Sequence, residues 1–269
     1  MHALTEGFQA CRTRDMVPVT WKIYESAKEH ADNEKLSRMR CLMRRYQKHW
    51  DESGARQILL DRLQNLKHTA RITNIVCIAL GTLQDEKAWG AGPREQHIMA
   101  SFLAQELTRM YEEQGMPRQE PITIVAQDPA YTALDRQLLS ELPVPIKTVQ
   151  DPKGFLVINE SSLVFSVKPV VPIKQIIADL ASEAPDGKGP AAMFLGDNYV
   201  DISLGDLDSV TYYARDEREY YANPETWSYV TMLESYIPVM AREDWPTEYR
   251  WHAYGSHWLA DLALWAREE

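Results

Sequence analysis

Between Ile72 and Asp85 the chain reads ITNIVCIALGTLQD, and the unbroken apolar run Ile75 to Leu80 limits the possible folds more than any other stretch. A run this short, ended by Gly81, predicts a strand buried on both faces rather than a globular helix. A polar loop follows through Gly90 and Gly92 to Pro93, and helical spacing starts near Arg94. Ile98, Phe102, Leu103, Leu107 and Met110 form the inward face of that helix, which reaches about Glu113. Strand, glycine turn and helix open a βαβ unit, the arrangement that places ligands at the carboxyl ends of parallel strands.

Four further strands are expected downstream. Ile122–Ala126 follows a turn rich in chain breakers, Val144–Val149 comes next, Ser162–Val167 is the fourth, and Ala191–Leu195 ends in Gly196-Asp197-Asn198. Thr132 with Asp135 three residues later reads as a capping box opening a short helix. Pro172 to Leu180 reads as a helix with proline in its first turn. The predicted class is therefore α/β: a three-layer, Rossmann-like, mostly parallel sheet of at least five strands, with a helical N-terminal segment and an aromatic-rich C-terminal extension.

The expected organisation is a helical segment over 1–70, an α/β core over 71–210 and the extension over 211–269. In the first part, Leu36, Met39, Met43, Tyr46 and Trp50 recur at helical spacing, and Asp51 and Ser53 sit at an N-cap position before Ile58, Leu59, Leu63 and Leu66. In the last part lie thirteen of the 26 aromatic residues, between Tyr212 and Trp265, among mostly acidic neighbours. Such rings are expected to cap the core, since each loses ~1.5–3 kcal/mol if left in water. Asn223-Pro224 is expected to start a helix with Tyr229, Met232, Leu233 and Tyr236 on one face. Trp258, Leu259, Leu262 and Trp265 suggest another.

Charge narrows the partners. The net charge is −10, but residues 1–71 carry 14 Lys and Arg against 9 Asp and Glu, while the remainder carries 15 against 30. An acidic protein does not favour nucleic acid as its main partner, and the basic cluster Lys35, Arg38, Arg40, Arg44, Arg45 and Lys48 reads first as a solvated helix face. No stretch approaches the apolar length of a membrane span. The N-terminus has no secretory pattern, and the three scattered cysteines, Cys11, Cys41 and Cys77, suit a reducing compartment, cytosol or nucleus.

The candidate site collects residues just past strand ends. Gly81 and Thr82 form the first turn, and Asp128, Asp151 and Asp197 follow the second, third and fifth strands. Parallel strands would bring all of them to one rim. An acid after the second strand is where adenosyl- and dinucleotide-binding folds accept ribose hydroxyls, which suits Asp128; Arg94 is a candidate for a ligand phosphate or carboxylate. The full G-x-G-x-x-G pattern is absent and the helix starts more than ten residues after Gly81, so a nicotinamide cofactor is disfavoured. The intervening loop with Asp85, Lys87, Trp89 and Arg94 reads as a lid. No P-loop or G-x-S-x-G occurs, Cys77 reads as buried and inert, and His252 and His257 have no accompanying cluster for a metal.

IVCIALGTLQ with ProArgGluGln at 93–96, AspProAlaTyrThrAlaLeuAsp at 128–135, the strand Leu163–Val167 with Pro169, and PheLeuGlyAspAsnTyr at 194–199 resemble the SRR1-like family, the proteins named for reduced sensitivity to red light. The resemblance spans about residues 72–206. It implies an intracellular regulatory protein of circadian, light or stress signalling, haem metabolism or cytoskeletal stability, with no agreed reaction and no assigned catalytic residues. Two departures stand out: Thr82 and an inserted loop replace a serine-rich first turn, and SerValLysProValVal replaces a run like methionine-proline-histidine-cysteine. The expected function is a regulatory protein whose strand-end cleft takes a nucleotide, an adenosyl compound or haem, with terminal regions for protein partners. An S-adenosylmethionine-dependent transferase and a non-catalytic scaffold are the alternatives.

Overall fold

A computed structural model describes residues 33–84, 92–115, 120–169, 171–196, 213–215, 218–220, 226–246 and 258–269. Helix α1, Asn33–Asp51, buries Leu36, Met39, Met43 and Trp50 of the predicted stripe, with Tyr46 partly buried beside them. Helix α2, Gly54–Leu63, starts where Ser53 accepts the Arg56 amide at 3.2 Å. Both close one side of the body, with Trp50 edge-on to Phe102 at 5.7 Å between ring centroids.

The strands β1 (Asn74–Ile78), β2 (Thr123–Gln127), β3 (Ile146–Val149), β4 (Ser162–Val167) and β5 (Ala192–Gly196) alternate with helices α3 (Gly92–Glu113), α4 (Ala133–Ser140) and α5 (Ile173–Glu183). Helix α6 (Trp227–Leu233) precedes strands β8 (Tyr236–Met240) and β9 (Leu262–Arg267), and a separate antiparallel pair joins β6 (Tyr213–Arg215) to β7 (Arg218–Tyr220). The main sheet has seven strands in the order β3-β2-β1-β4-β5-β9-β8. From β3 to β5 every pairing is parallel, β9 runs antiparallel to β5, and β8 runs antiparallel to β9.

Alternation along the strands divides the core into two layers, as a sheet covered on both faces requires. Ile75, Cys77, Ile124, Ala126, Leu163, Phe165 and Phe194 pack with residues of α1 to α4. Val76, Ile78, Val164, Met193 and Leu195 face the other way, toward Ile173, Ile177 and Tyr229 of α5 and α6. The fold is thus three-layered and mostly parallel. Between β3 and β4 the chain crosses without an α-helix, through a 3-10 turn at Phe155–Val157.

Two expectations near the C-terminus are corrected. The helix at Tyr229 covers only Trp227–Leu233, capped by Thr226, and Tyr236 opens β8 instead of joining its face. After a 3-10 turn at Trp258–Asp261, Leu262 and Trp265 belong to β9 and not to a helix. Both periodicities are written in this segment. Burial of Leu262, Leu264 and Ala266 alternates with less buried neighbours, and the free edge of β5 selects the strand pattern by pairing Gly196 with Leu262 through Ala192 with Ala266. The first strand also stops two residues early, because Ala79 turns to φ 58°. Pro172 is the N-cap of α5 rather than its first helical residue.

Candidate functional site

The sheet changes winding direction between β1 and β4, since β1 leads to β2 on one side and β4 to β5 on the other. Crevices at the carboxyl ends of strands open at such a point. Here both strands end in the same unusual way. Ala79 lies at φ 58° and Lys168 at φ 48°, left-handed conformations that non-glycine residues seldom adopt and that cluster at functional sites. Each is held there by the neighbouring strand: the Ala79 amide donates to the Gln127 carbonyl at 2.9 Å and the Lys168 amide to the Gly196 carbonyl at 2.6 Å.

The turn after β1 is fastened to the segment after β2. Gly81, at φ 80°, donates its amide to Asp128 Oδ2 at 2.8 Å, and Ala130 donates to Asp128 Oδ1 at 2.8 Å. Burial raises the Asp128 carboxyl above its ordinary range, the two amides pull it back, and the nearby Asp135 charge raises it further. Each oxygen keeps lone-pair capacity for a further donor. Thr82 donates its hydroxyl to Asp135 at 3.0 Å, and Leu83 its amide at 2.9 Å. Asp135 also closes the predicted capping box, accepting the Thr132 amide at 2.7 Å. Gln84 joins through Nε2 to the Thr132 hydroxyl at 2.6 Å.

Beneath this turn lies a buried pair. His97 on α3 has no exposed surface; its Nδ1 is 2.5 Å from the Pro93 carbonyl and its Nε2 is 2.6 Å from the Tyr131 hydroxyl. A carbonyl can only accept, so Nδ1 carries the proton and Nε2 accepts from the tyrosine. Burial lowers the His97 pKa to about 4, against partial offsets from the Pro93 carbonyl and Asp135. Burial likewise pushes the Tyr131 hydroxyl well up, and the buried Cys77 thiol with it.

A family model described as SRR1 domain matches residues 57–247. The chain belongs to the SRR1 domain family. No match was found among curated proteins. The matched span runs from α2 past β8 and leaves β9 outside it. Within this SRR1 domain, the segment Asp128 to Asp135 supplies nearly every anchor of the rim: Asp128 for Gly81, Tyr131 for His97, Thr132 for the cap, and Asp135 for Thr82 and Leu83.

Gly81, Thr82 and Asp128 therefore meet at one end of the parallel strands. Asp151 lies at the same end, after β3, where Gln127 donates to its Oδ1 at 2.9 Å and accepts the Gly154 amide at 2.6 Å. Arg94 takes a different direction: it is buried in the first turn of α3, its guanidinium 5.6 Å from the Tyr46 ring centroid of α1. Asp197, the loop with Asp85, Lys87 and Trp89, and His252 with His257 lie outside the described residues. Among the described residues, no group of three or more His, Cys, Asp and Glu could hold a metal ion, and no helix is long and apolar enough to cross a membrane.

Ala79, His97, Tyr131, Asp135 and Lys168 join this rim although no local sequence pattern assigns them to it. Thr132-x-x-Asp135 reads as a helix cap, and the stretch 128–135 that carries the family resemblance includes Tyr131 and Asp135 without assigning them a role. The other residues depend on backbone angles or on contacts across 34 or more positions, as for His97 and Tyr131.

Proposed function

We propose that this SRR1-domain protein is a regulatory protein that binds an adenosyl compound of the S-adenosylmethionine class in the crevice between the ends of β1 and β4. The observation that carries this reading is the sheet order, five parallel strands followed by a reversed β9 wedged before β8. S-adenosylmethionine-dependent transferases are commonly built on that order, so the support is fold-level analogy joined to a site. The site's part is Asp128, half-buried beyond β2 with both oxygens oriented by backbone amides, a position suited to ribose hydroxyls. Gly81 and Thr82 border the same crevice, with Asp151 and Asp197 as further rim candidates. Nucleotides and haem are the competing ligands.

The segments over 1–70 and 211–269 are proposed to carry the protein contacts around the core at 71–210. Arg38, Arg44, Arg45 and Lys48 stand exposed on α1 and suit an acidic partner surface. Transferase activity is the second reading, favoured by the same sheet order. It would place the acceptor near Lys168, across the crevice from the first turn.

Thermal melting of the full chain against S-adenosylmethionine, S-adenosylhomocysteine, purine nucleotides and haem tests the reading. A ligand at 100 times its dissociation constant adds ~2.7 kcal/mol to the folded state. A rise in melting temperature with the adenosyl compounds, lost in Asp128→Ala, is the expected result. A shift with haem or nucleotides alone would replace the ligand, and no shift with any of them would favour a scaffold.

A further inference from the structure

In dinucleotide-binding sites, the glycine turn after the first strand lets the pyrophosphate approach the backbone, and the exposed amides opening the next helix receive its charge. In this protein both features are present and both are occupied by the protein itself. A Cβ placed on Gly81 would lie 3.3 Å from Cγ of Pro93, so the space that the glycine provides holds the proline ring. Pro93 stands in the first turn of α3 and has no amide hydrogen to offer. The next four residues, Arg94, Glu95, Gln96 and His97, are all buried.

Charge closes the position as well as shape. The Glu95 carboxylate lies at the amino end of α3, buried; its Oε2 accepts the Trp258 indole N–H at 2.9 Å, and its Oε1 lies 3.5 Å from Nδ1 of the exposed His49 on α1. An acid at this end already satisfies the positive end of the helix dipole, and an incoming phosphate would meet it as a like charge. Trp258 covers the same end, with its Cδ1 3.8 Å from a Cβ placed on Gly92. The His97 ring ties the Pro93 carbonyl to the Tyr131 hydroxyl, so the helix start is fixed to the segment that carries Asp128.

We infer that Gly81, Pro93, Glu95 and the His97–Tyr131 pair form a selectivity element that closes the pyrophosphate position and restricts the crevice to adenosyl ligands without a phosphate chain on the ribose. This inference rests on the adenosyl reading above and specifies which members of that class enter. A ligand with carbon or sulfur at the ribose 5′ position passes the Pro93 ring by apolar contact. One with a phosphate chain must displace that ring and face Glu95 in a poorly hydrated site, where repulsion is strong.

The test is isothermal titration of the full chain with S-adenosylhomocysteine, adenosine, ADP-ribose and NAD, each repeated on Glu95→Gln. S-adenosylhomocysteine and adenosine are expected to bind, with ADP-ribose and NAD about 100-fold weaker or beyond detection. Glu95→Gln should narrow that ratio by about tenfold through the phosphorylated ligands alone. Circular dichroism and melting of the variant report whether it folds, and the wild-type ratio stands as a test without it. ADP-ribose binding within about threefold of S-adenosylhomocysteine overturns the inference and leaves the adenosyl reading intact. Binding of ADP-ribose alone overturns both, as does binding of none of the four. A folded Glu95→Gln with an unchanged ratio overturns the assignment to this element.

Discussion

The Asp135 carboxylate on α4 accepts the Thr82 hydroxyl of the first strand's turn at 3.0 Å, across 53 positions of sequence. Asp135 is fully buried, and the same carboxylate takes the Leu83 and Thr132 amides at 2.9 and 2.7 Å. One side chain thereby caps a helix and fixes the β1 turn. A buried carboxylate with this many donors is favourable only while each is matched.

Asp135→Asn follows directly from that arrangement. The amide nitrogen of the new side chain would face a backbone N–H in either of its orientations, since Oδ1 accepts from Leu83 and Oδ2 from Thr132, and a buried donor is left unmatched. Loss of about 2–4 kcal/mol is expected, read as a fall in the urea midpoint without change in the slope. A loss below about 0.5 kcal/mol would remove Asp135 from its central place.

His97 predicts the acid response of the fold. Its pKa is lowered from 6.5 to about 4 in the folded protein, burial being the main cause, so the unfolded chain binds the proton more readily. The contribution is therefore complete above pH 6.5, is lost progressively as the pH falls toward 4, and changes no further below that. The total is on the order of 3 kcal/mol. Urea titrations from pH 7.5 to 4 on wild type and His97→Gln measure it. The variant should lose the part of the slope due to this residue, and parallel curves would contradict the assignment.

Gly154 stands against Gln127, which reaches both Asp151 and the Gly154 amide. A Cβ there would meet Gln127 Cβ at 2.6 Å and Oε1 at 2.8 Å, closer than real contacts allow. Gly154→Ala is expected to cost about 1–3 kcal/mol and to release the segment after β3 from the sheet. Hydrogen exchange should show the Gly154 amide exposed faster in the variant, and unchanged protection would show that Gln127 has another position to take.

Ala79→Gly should act in the opposite sense. A left-handed alanine carries roughly 1–2 kcal/mol of strain. Glycine removes it but adds ~0.4–1 kcal/mol of unfolded-state entropy. The expected result is a net gain of up to about 1 kcal/mol in chemical denaturation. A clear loss instead would mean that the Ala79 methyl contributes more to the second core layer than the turn costs.

Strong local patterns carried much of this protein. The strand at Ile75, apart from its last two residues, the stripe from Leu36 to Trp50, the Ser53 cap and the Thr132–Asp135 box are legible in the sequence, because each signal lies within a few residues and answers to backbone geometry alone. The parallel body followed from strands alternating with helices, which leave few ways to cover both faces of a sheet. Tertiary structure decided the rest. Leu262 to Arg267 became a strand because β5 offered an unpaired edge, and no local pattern records the presence of that edge. Arg94 turned beneath Tyr46, and His97 found Tyr131, through packing between elements far apart in the chain. Residue identity thus set which groups seek burial or a partner, while the assembled sheet chose the partner, since long-range contacts form only after the layers have closed.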